Sequence, residues 1–245
     1  MERKEFLKMG LSSLGLLTIA PMIMSCKESS VEPTTTTSGT TTGSTNGSSA
    51  TDCIVNPTET IGPFPTKSPA DYVIKNIKSD RVGVNLTANI TIKNKNTGCG
   101  ALAGAMVDIW HCDADGNYSE YGGTNMQTAN YQSVHFLRGR QISDSNGLVS
   151  FATIFPGWYG GRAVHIHVHI YNASGKSLLV TQIAFPAAVC DTVFTTATSF
   201  YKKGKADTTN ERDNVFSDGF ATQLATLTGD VTNGYTLTHN IVVNG

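Results

Sequence analysis

The stretch Ala163-Val164-His165-Ile166-His167-Val168-His169-Ile170-Tyr171 alternates without a break. Val164, Ile166, Val168 and Ile170 fall on one side, and His165, His167 and His169 on the other. Successive side chains of a strand point to opposite faces, so this is a strand with an aliphatic face and a histidine face. The aliphatic face packs into a core and fixes the backbone. Two histidines two residues apart on the other face lie close enough to share one metal ion, and imidazole suits several transition metals.

Reading outward, the rest of the domain follows the same period. Val82, Val84, Leu86, Ala88, Ile90 and Ile92 alternate with Gly83, Asn85, Thr87, Asn89, Thr91 and Lys93. Shorter strands are predicted over 105–111, 148–155 (entered through an Asn146-Gly147 turn), 178–185 and 235–243. No stretch longer than two turns shows helical periodicity. The expectation is an all-β fold, an antiparallel β-sandwich whose long loops carry the metal site.

The chain has 245 residues, 15% charged, with a formal net charge of -1. That length suits one sizeable domain, and the charge gives no footprint for nucleic acid. Arg3, Lys4 and Lys8 precede a short apolar run over 10–24 that ends at Ile23-Met24-Ser25-Cys26. Its length suits a signal segment better than a membrane span. The end of the run resembles a bacterial lipobox, which implies cleavage before Cys26 and acylation of its thiol. Arg3-Lys4-Glu5-Phe6-Leu7-Lys8 resembles the twin-arginine export motif with Lys in the second basic place, and both that route and general secretion stay open. Residues 27–52 are dominated by Ser, Thr and Gly with no apolar period, as in a flexible tether. The expected division is 1–25 signal peptide, 26–52 acylated Cys and tether, 53–245 catalytic domain, with the protein exported and lipid-anchored in the cell envelope. Cys53, Cys99, Cys112 and Cys190 permit two disulfides in an oxidising compartment, in any of three pairings.

Just before the histidine strand stands Pro156-Gly157-Trp158-Tyr159-Gly160-Gly161-Arg162. The Pro-Gly turn brings Tyr159 near the start of that strand. A phenol ionises near pH 10 and is a poor ligand for divalent ions, whereas trivalent iron accepts phenolate. Tyr plus His therefore points to Fe(III) before zinc or copper.

The run over 153–167 resembles the signature of intradiol ring-cleavage dioxygenases, which include protocatechuate 3,4-dioxygenase and catechol 1,2-dioxygenase. So do Val107-Asp108-Ile109-Trp110-His111-Cys112-Asp113-Ala114-Asp115-Gly116-Asn117-Tyr118, with a tyrosine eight residues after the Trp, and Phe136-Leu137-Arg138-Gly139-Arg140-Gln141, read as leading into a hairpin. Glu59-Thr60-Ile61-Gly62-Pro63-Phe64 and Gln182 complete the match, in order, over 53–244. The resemblance implies non-haem Fe(III) held by Tyr118, Tyr159, His165 and His167, and a catechol bound through both oxygens. Tyr159 gives way to the substrate and takes a proton. Arg162 stabilises negative charge on the ring, and Gln182 positions Arg162 or the substrate. Gly62, Pro63 and Phe64 line the pocket; Trp158, beside Tyr159, reads as core with the pocket wall as its alternative place. O2 then cleaves the ring between the hydroxyl-bearing carbons to a cis,cis-muconate-type diacid. The partners expected are a small catechol, O2 and, through the anchor, a membrane. The helical dimerisation segment of the catechol 1,2-dioxygenases has no counterpart, so a homo-oligomer would need another interface.

Other residues read more plainly. His169 falls outside the matched pattern, His111 belongs to packing, and His135 and His239 are read as surface. Asp113-Ala114-Asp115-Gly116 lacks EF-hand spacing and is a turn. Two other functions compete. One is a non-catalytic cell-surface β-sandwich that binds a partner. The other is a copper or zinc enzyme using all three histidines of the strand.

Overall fold

The computed structural model describes residues 53–245; the predicted leader, Cys26 and the tether lie outside the described residues. Among the described residues, nine strands form two sheets. Strands β1 (Asn85–Asn94), β2 (Gly100–Ala101), β5 (Leu148–Ile154), β8 (Thr226–Asp230) and β9 (Gly234–Val243) make one. Strands β3 (Met106–Trp110), β4 (Arg138–Ile142), β6 (His165–Tyr171) and β7 (Ser177–Ala184) make the other, in the order β4-β3-β6-β7 and antiparallel throughout.

The expected alternation places the core between the sheets. Leu86, Ala88, Ile90 and Ile92 of β1 are buried, and so are Val107 and Ile109 of β3 and Ile166, Val168 and Ile170 of β6, all in one apolar cluster. Removing one of these isoleucines to Ala costs roughly 2–5 kcal/mol, because the surrounding sheets close only partly around the void. The aliphatic face of β6 is thus the anvil on which the histidine face rests.

Four details differ from the sequence reading. Strand β1 starts at Asn85, not at Val82. The amide of Val84 bonds the Tyr201 hydroxyl at 3.1 Å instead of a neighbouring strand, and Val82 is exposed. The first sheet is mixed, since β1 runs parallel to β9. The chain from β4 to β5 is not a hairpin: β4 pairs with β3 and β5 with β1, so the Asp144–Gly147 turn carries the chain between sheets. Finally, α1 (Ala187–Thr196) is a helix of 10 residues that buries Cys190, Val193 and Phe194. Only one narrow stripe of it is apolar, and its threonines are weak helix formers, so its period is hard to read.

Of the expected cysteines, Cys53 and Cys99 form a disulfide that ties the start of the described domain to the turn after β1. Among the described residues Cys112 and Cys190 are buried free thiols, so one disulfide forms there where two were permitted. Among the described residues no helix is long and apolar enough to cross a membrane.

Candidate functional site

Strand β6 sits in the middle of its sheet, with β3 on one side and β7 on the other. The register sets Trp110 opposite His167 and His167 opposite Gln182. Cross-strand partners share a face, so Gln182 stands beside His167 although 15 residues separate them. The Trp110 ring stacks on His167 with centroids 4.8 Å apart and planes within 1°. That contact fixes the imidazole plane.

Nδ1 of His165 lies 2.6 Å from the Ala163 carbonyl. This contact selects the tautomer with the proton on Nδ1 and leaves Nε2 as a lone pair. Nε2 of His165 is 3.1 Å from Nε2 of His167 and 3.4 Å from the Tyr118 hydroxyl. The Tyr159 ring stands edge-on to His165 at 5.9 Å and to Tyr118 at 5.7 Å. The four donors named from the sequence therefore meet in one place.

Two glycines permit the two tyrosine segments to meet. A Cβ at Gly116 would lie 2.2 Å from the Trp158 carbonyl, and one at Gly157 would lie 2.4 Å from the Asp113 carbonyl. No side chain fits at either position, and Gly116 also has φ +87. The 113–116 segment is the predicted turn: Asp113 accepts from the amides of Asp115 and Asn117. Tyr118 is then clamped at its own backbone. Gln127 accepts from its amide at 2.7 Å and donates to its carbonyl at 2.8 Å.

Burial sets the protonation states. Burial, reinforced by the Arg162 cation, lowers the His165 imidazole to about 3. Burial and its neighbour His165 push His167 well below the ordinary histidine value. Burial holds the Tyr118 phenol well above 10, and raises Tyr159 against the opposing pull of Arg162. Left alone, the site is two neutral imidazoles and two neutral phenols.

Around them, Phe64 stacks on Tyr118 at 4.8 Å, and its loop presses on His167 through Gly62. Arg162 gives NH2 to Gln182 Oε1 at 2.5 Å and NH1 to the Tyr159 hydroxyl at 3.3 Å. Trp158 is not brought to the donors. It packs on the main core, donates to the Gly204 carbonyl at 2.9 Å and carries Lys203 over its ring.

His169 bonds Ser177 and Tyr171 instead of joining the pair. Among the described residues, no three of His, Cys, Asp or Glu are placed to hold a metal, which counts against the three-histidine copper or zinc reading. His111 is buried between the Cys112 carbonyl and Thr153, as expected of a packing residue. His239, expected at the surface, is buried, and its Nε2 has no partner among the described residues.

Sequence reasoning missed two residues. Asp213, in a segment with no period, is fully buried and receives Arg162 Nε. Arg138 stands in the Phe136–Gln141 motif, where its residue type alone assigns it no role. It is fully buried and braces the loops that carry Phe64 and Tyr118, through the Phe64 carbonyl at 2.8 Å and the Ser119 carbonyl at 2.6 Å. An Arg at the first position of a strand in an otherwise weakly charged chain was the available signal.

The sequence profile of a family described as dioxygenase matches residues 64–218, more than half of the chain. The chain belongs to the intradiol ring-cleavage dioxygenase family. Among its relatives is a chlorocatechol 1,2-dioxygenase of Rhodococcus opacus, 29% identical over 103 residues, 34% of this chain and 37% of the relative. A catechol 1,2-dioxygenase of Pseudomonas sp. (strain EST1001) is 29% identical over 125 residues, 42% of this chain and 39% of the relative. The chain thus matches less than half the length of these curated relatives. An intradiol ring-cleavage dioxygenase from Tetranychus urticae is similar in structure, with TM-score 0.69 and 28% identity over 78% of this chain and 95% of that one. The family and the all-β sandwich agree with the resemblance seen in the sequence.

Proposed function

We propose that this family member is a non-haem Fe(III)-dependent enzyme that opens a catechol ring between its hydroxyl-bearing carbons with O2, yielding a cis,cis-muconate-type diacid that keeps both oxygen atoms. The convergence of Tyr118, Tyr159, His165 and His167 carries the reading.

The donor set fits ferric iron. The Nε2 atoms of two imidazoles lie 3.1 Å apart in a pocket whose burial disfavours protonation of either histidine. Two phenols stand against them, and burial keeps both protonated unless a strongly acidic cation draws the protons off. Bound there, ferric iron would chelate the catechol as its dianion and make the ring electron-rich toward O2.

Tyr118, His165 and His167 are buried, while Tyr159 is partly exposed and bonded to Arg162. Tyr159 is therefore the donor that an incoming catechol reaches. Its hydroxyl oxygen holds the proton that the substrate gives up, while Tyr118 and the histidines stay in place. Arg162 sets a positive charge beside Tyr159, where the ring would stand, and favours negative charge on the ring carbon that meets O2. Gln182 pins Arg162 NH2 and itself donates to the Thr60 carbonyl at 3.0 Å. Phe64 walls the site and excludes water.

The test is a visible spectrum of the purified protein, followed by addition of catechol without oxygen. The expected result is a red-brown phenolate-to-iron band that shifts to longer wavelength, then oxygen uptake and a muconate product once air is admitted. A protein that stays colourless after ferric reconstitution sinks the reading.

We further propose that residues 1–25 direct export, that Cys26 carries lipid, and that 26–52 tether the domain 53–245 to the envelope. The Cys53–Cys99 disulfide supports this, because such bonds persist in oxidising compartments. Labelled palmitate should enter the protein, and Cys26→Ser should abolish labelling and release the protein from membranes. Unchanged labelling of that variant would remove the anchor.

A further inference from the structure

We infer that Asp213 is a positioning residue for Arg162: it fixes the guanidinium edge and compensates its charge beside the four-donor site. The inference rests on the functional reading above, and it assigns a residue that reading does not use.

The guanidinium is held on three sides. Its Nε hydrogen is shared between both carboxylate oxygens of Asp213, each at 2.9 Å. NH2 goes to Gln182 and NH1 to the Tyr159 hydroxyl. Asp213 is the one carboxylate among these three partners, and it lies along the Nε edge of the guanidinium. The Asp213 side chain is 0% exposed and that of Arg162 is 13% exposed. A buried carboxylate persists only when its lone pairs are satisfied. Here they are, since Oδ2 also accepts the Ala163 amide at 2.7 Å and Oδ1 the Val215 amide at 2.9 Å.

One carboxylate therefore ties together three things. These are the Arg162 head, the backbone two residues before His165, and the turn over 213–215 to which Asp213 itself belongs. Arg162 alone would have free torsions and an uncompensated charge next to a cation. With Asp213 it has one orientation, in which NH1 meets Tyr159. The 3.3 Å contact with Tyr159 is the loosest of the three. That arrangement suits a group which must pass from Tyr159 to a bound ring without moving its anchor.

Asn at 213 keeps the shape and removes the function. Its amide nitrogen would set a donor against the N–H groups that the carboxylate now accepts, and the charge is gone. The test uses the full chain in two arms. In the first, the Arg162 Nε–H signal is identified by NMR from its loss in Arg162→Gln, and its hydrogen exchange is measured without metal. The expected result is strong protection in the wild type and exchange faster by roughly tenfold to a hundredfold in Asp213→Asn, the loss of a buried charged hydrogen bond. An Arg162 Nε–H in the wild type that exchanges as freely as a surface arginine overturns the inference, and Asp213→Asn does not have to fold for that result.

The second arm is a kinetic cycle on catechol with Asp213→Asn, Arg162→Gln and the double variant. Asp213→Asn should lower kcat by roughly tenfold to a hundredfold with KM little changed, and it should retain iron. The double variant should be no slower than Arg162→Gln alone. Losses that multiply would show that Asp213 acts elsewhere. If the wild type turns over no catechol, the functional reading fails, while the exchange arm still decides whether Asp213 holds Arg162.

Discussion

Gly62 and His167 touch with no room between them: a Cβ at residue 62 would lie 2.9 Å from Cε1 of His167. The Thr60–Phe64 loop is thus the roof over the Cε1 corner of one imidazole, and Trp110 stacks on the plane of the same ring. Gly62 also has φ +74, which non-glycine residues rarely adopt. Gly62→Ala should cost about 1–3 kcal/mol in stability through backbone strain. It should also weaken iron binding roughly 10-fold to 100-fold by displacing the ring, as support residues around metals do. Chemical denaturation and iron titration check both. Unchanged iron affinity would mean that the roof does not hold His167.

Tyr118 and His169 make a matched pair of variants. Tyr118→Phe removes a phenol that faces His165 at 3.4 Å, and should leave the protein with little iron and an altered or absent red-brown band. His169→Ala removes a histidine engaged only with Ser177 and Tyr171, and should retain full iron and colour. Metal analysis beside the visible spectrum reads this directly; the reverse pattern would revive the three-histidine site.

Metal-free protein should lose stability as pH falls. Burial holds His111 and His239 at about 4 instead of the ordinary 6.5. Between these values the unfolded chain binds more protons than the folded one. The stability each contributes is therefore complete above about 6.5 and is lost on acidification toward 4. The expected slope is about 1.4 kcal/mol per pH unit for each histidine in that window. Urea midpoints at pH 7, 5.5 and 4.5 measure it. His239→Leu should flatten the slope by one such increment and cost little at pH 7, because Nε2 of His239 has no partner to lose. A slope that this variant leaves unchanged would contradict the buried neutral state.

The disulfide should matter to the fold and not to the chemistry. It closes a sequence separation of 46, for which loop-closure entropy predicts about 4 kcal/mol. Cys99→Ser should lower the denaturation midpoint accordingly, with iron content and colour unchanged in the folded protein. A loss of iron at full stability would instead couple the 94–99 turn to the metal pocket.

Much of this was legible in the sequence because it rests on local periods. The alternation of Val164, Ile166, Val168 and Ile170 against three histidines dictates a strand with two unlike faces, whatever packs on it. Tyr118 and Tyr159 stood in segments whose residue order marks the family, and Gln182 followed at family spacing. The parallel pairing of β1 with β9, the β4–β5 crossover and the burial of His239 depend on which distant strand arrives alongside, and no local period records that. His239 sits on a face with Tyr235, Leu237, Ile241 and Val243, so its alternation was visible; its polarity hid its burial.

By itself, the sequence determined the histidine strand, the donor types and hence the chemistry they suit. Tertiary structure alone decided how those side chains are brought together and how Arg162 is held. His165 and His167 meet Tyr118 and Tyr159 because Gly116 and Gly157 let two backbones pass within van der Waals reach. His169, two residues further along the same face, meets Tyr171 and Ser177 instead. Asp213 reaches Arg162 across 51 residues. A lone aspartate in an irregular segment carries no signal of its partner until burial removes the water that would otherwise solvate it, and an ion pair becomes its alternative.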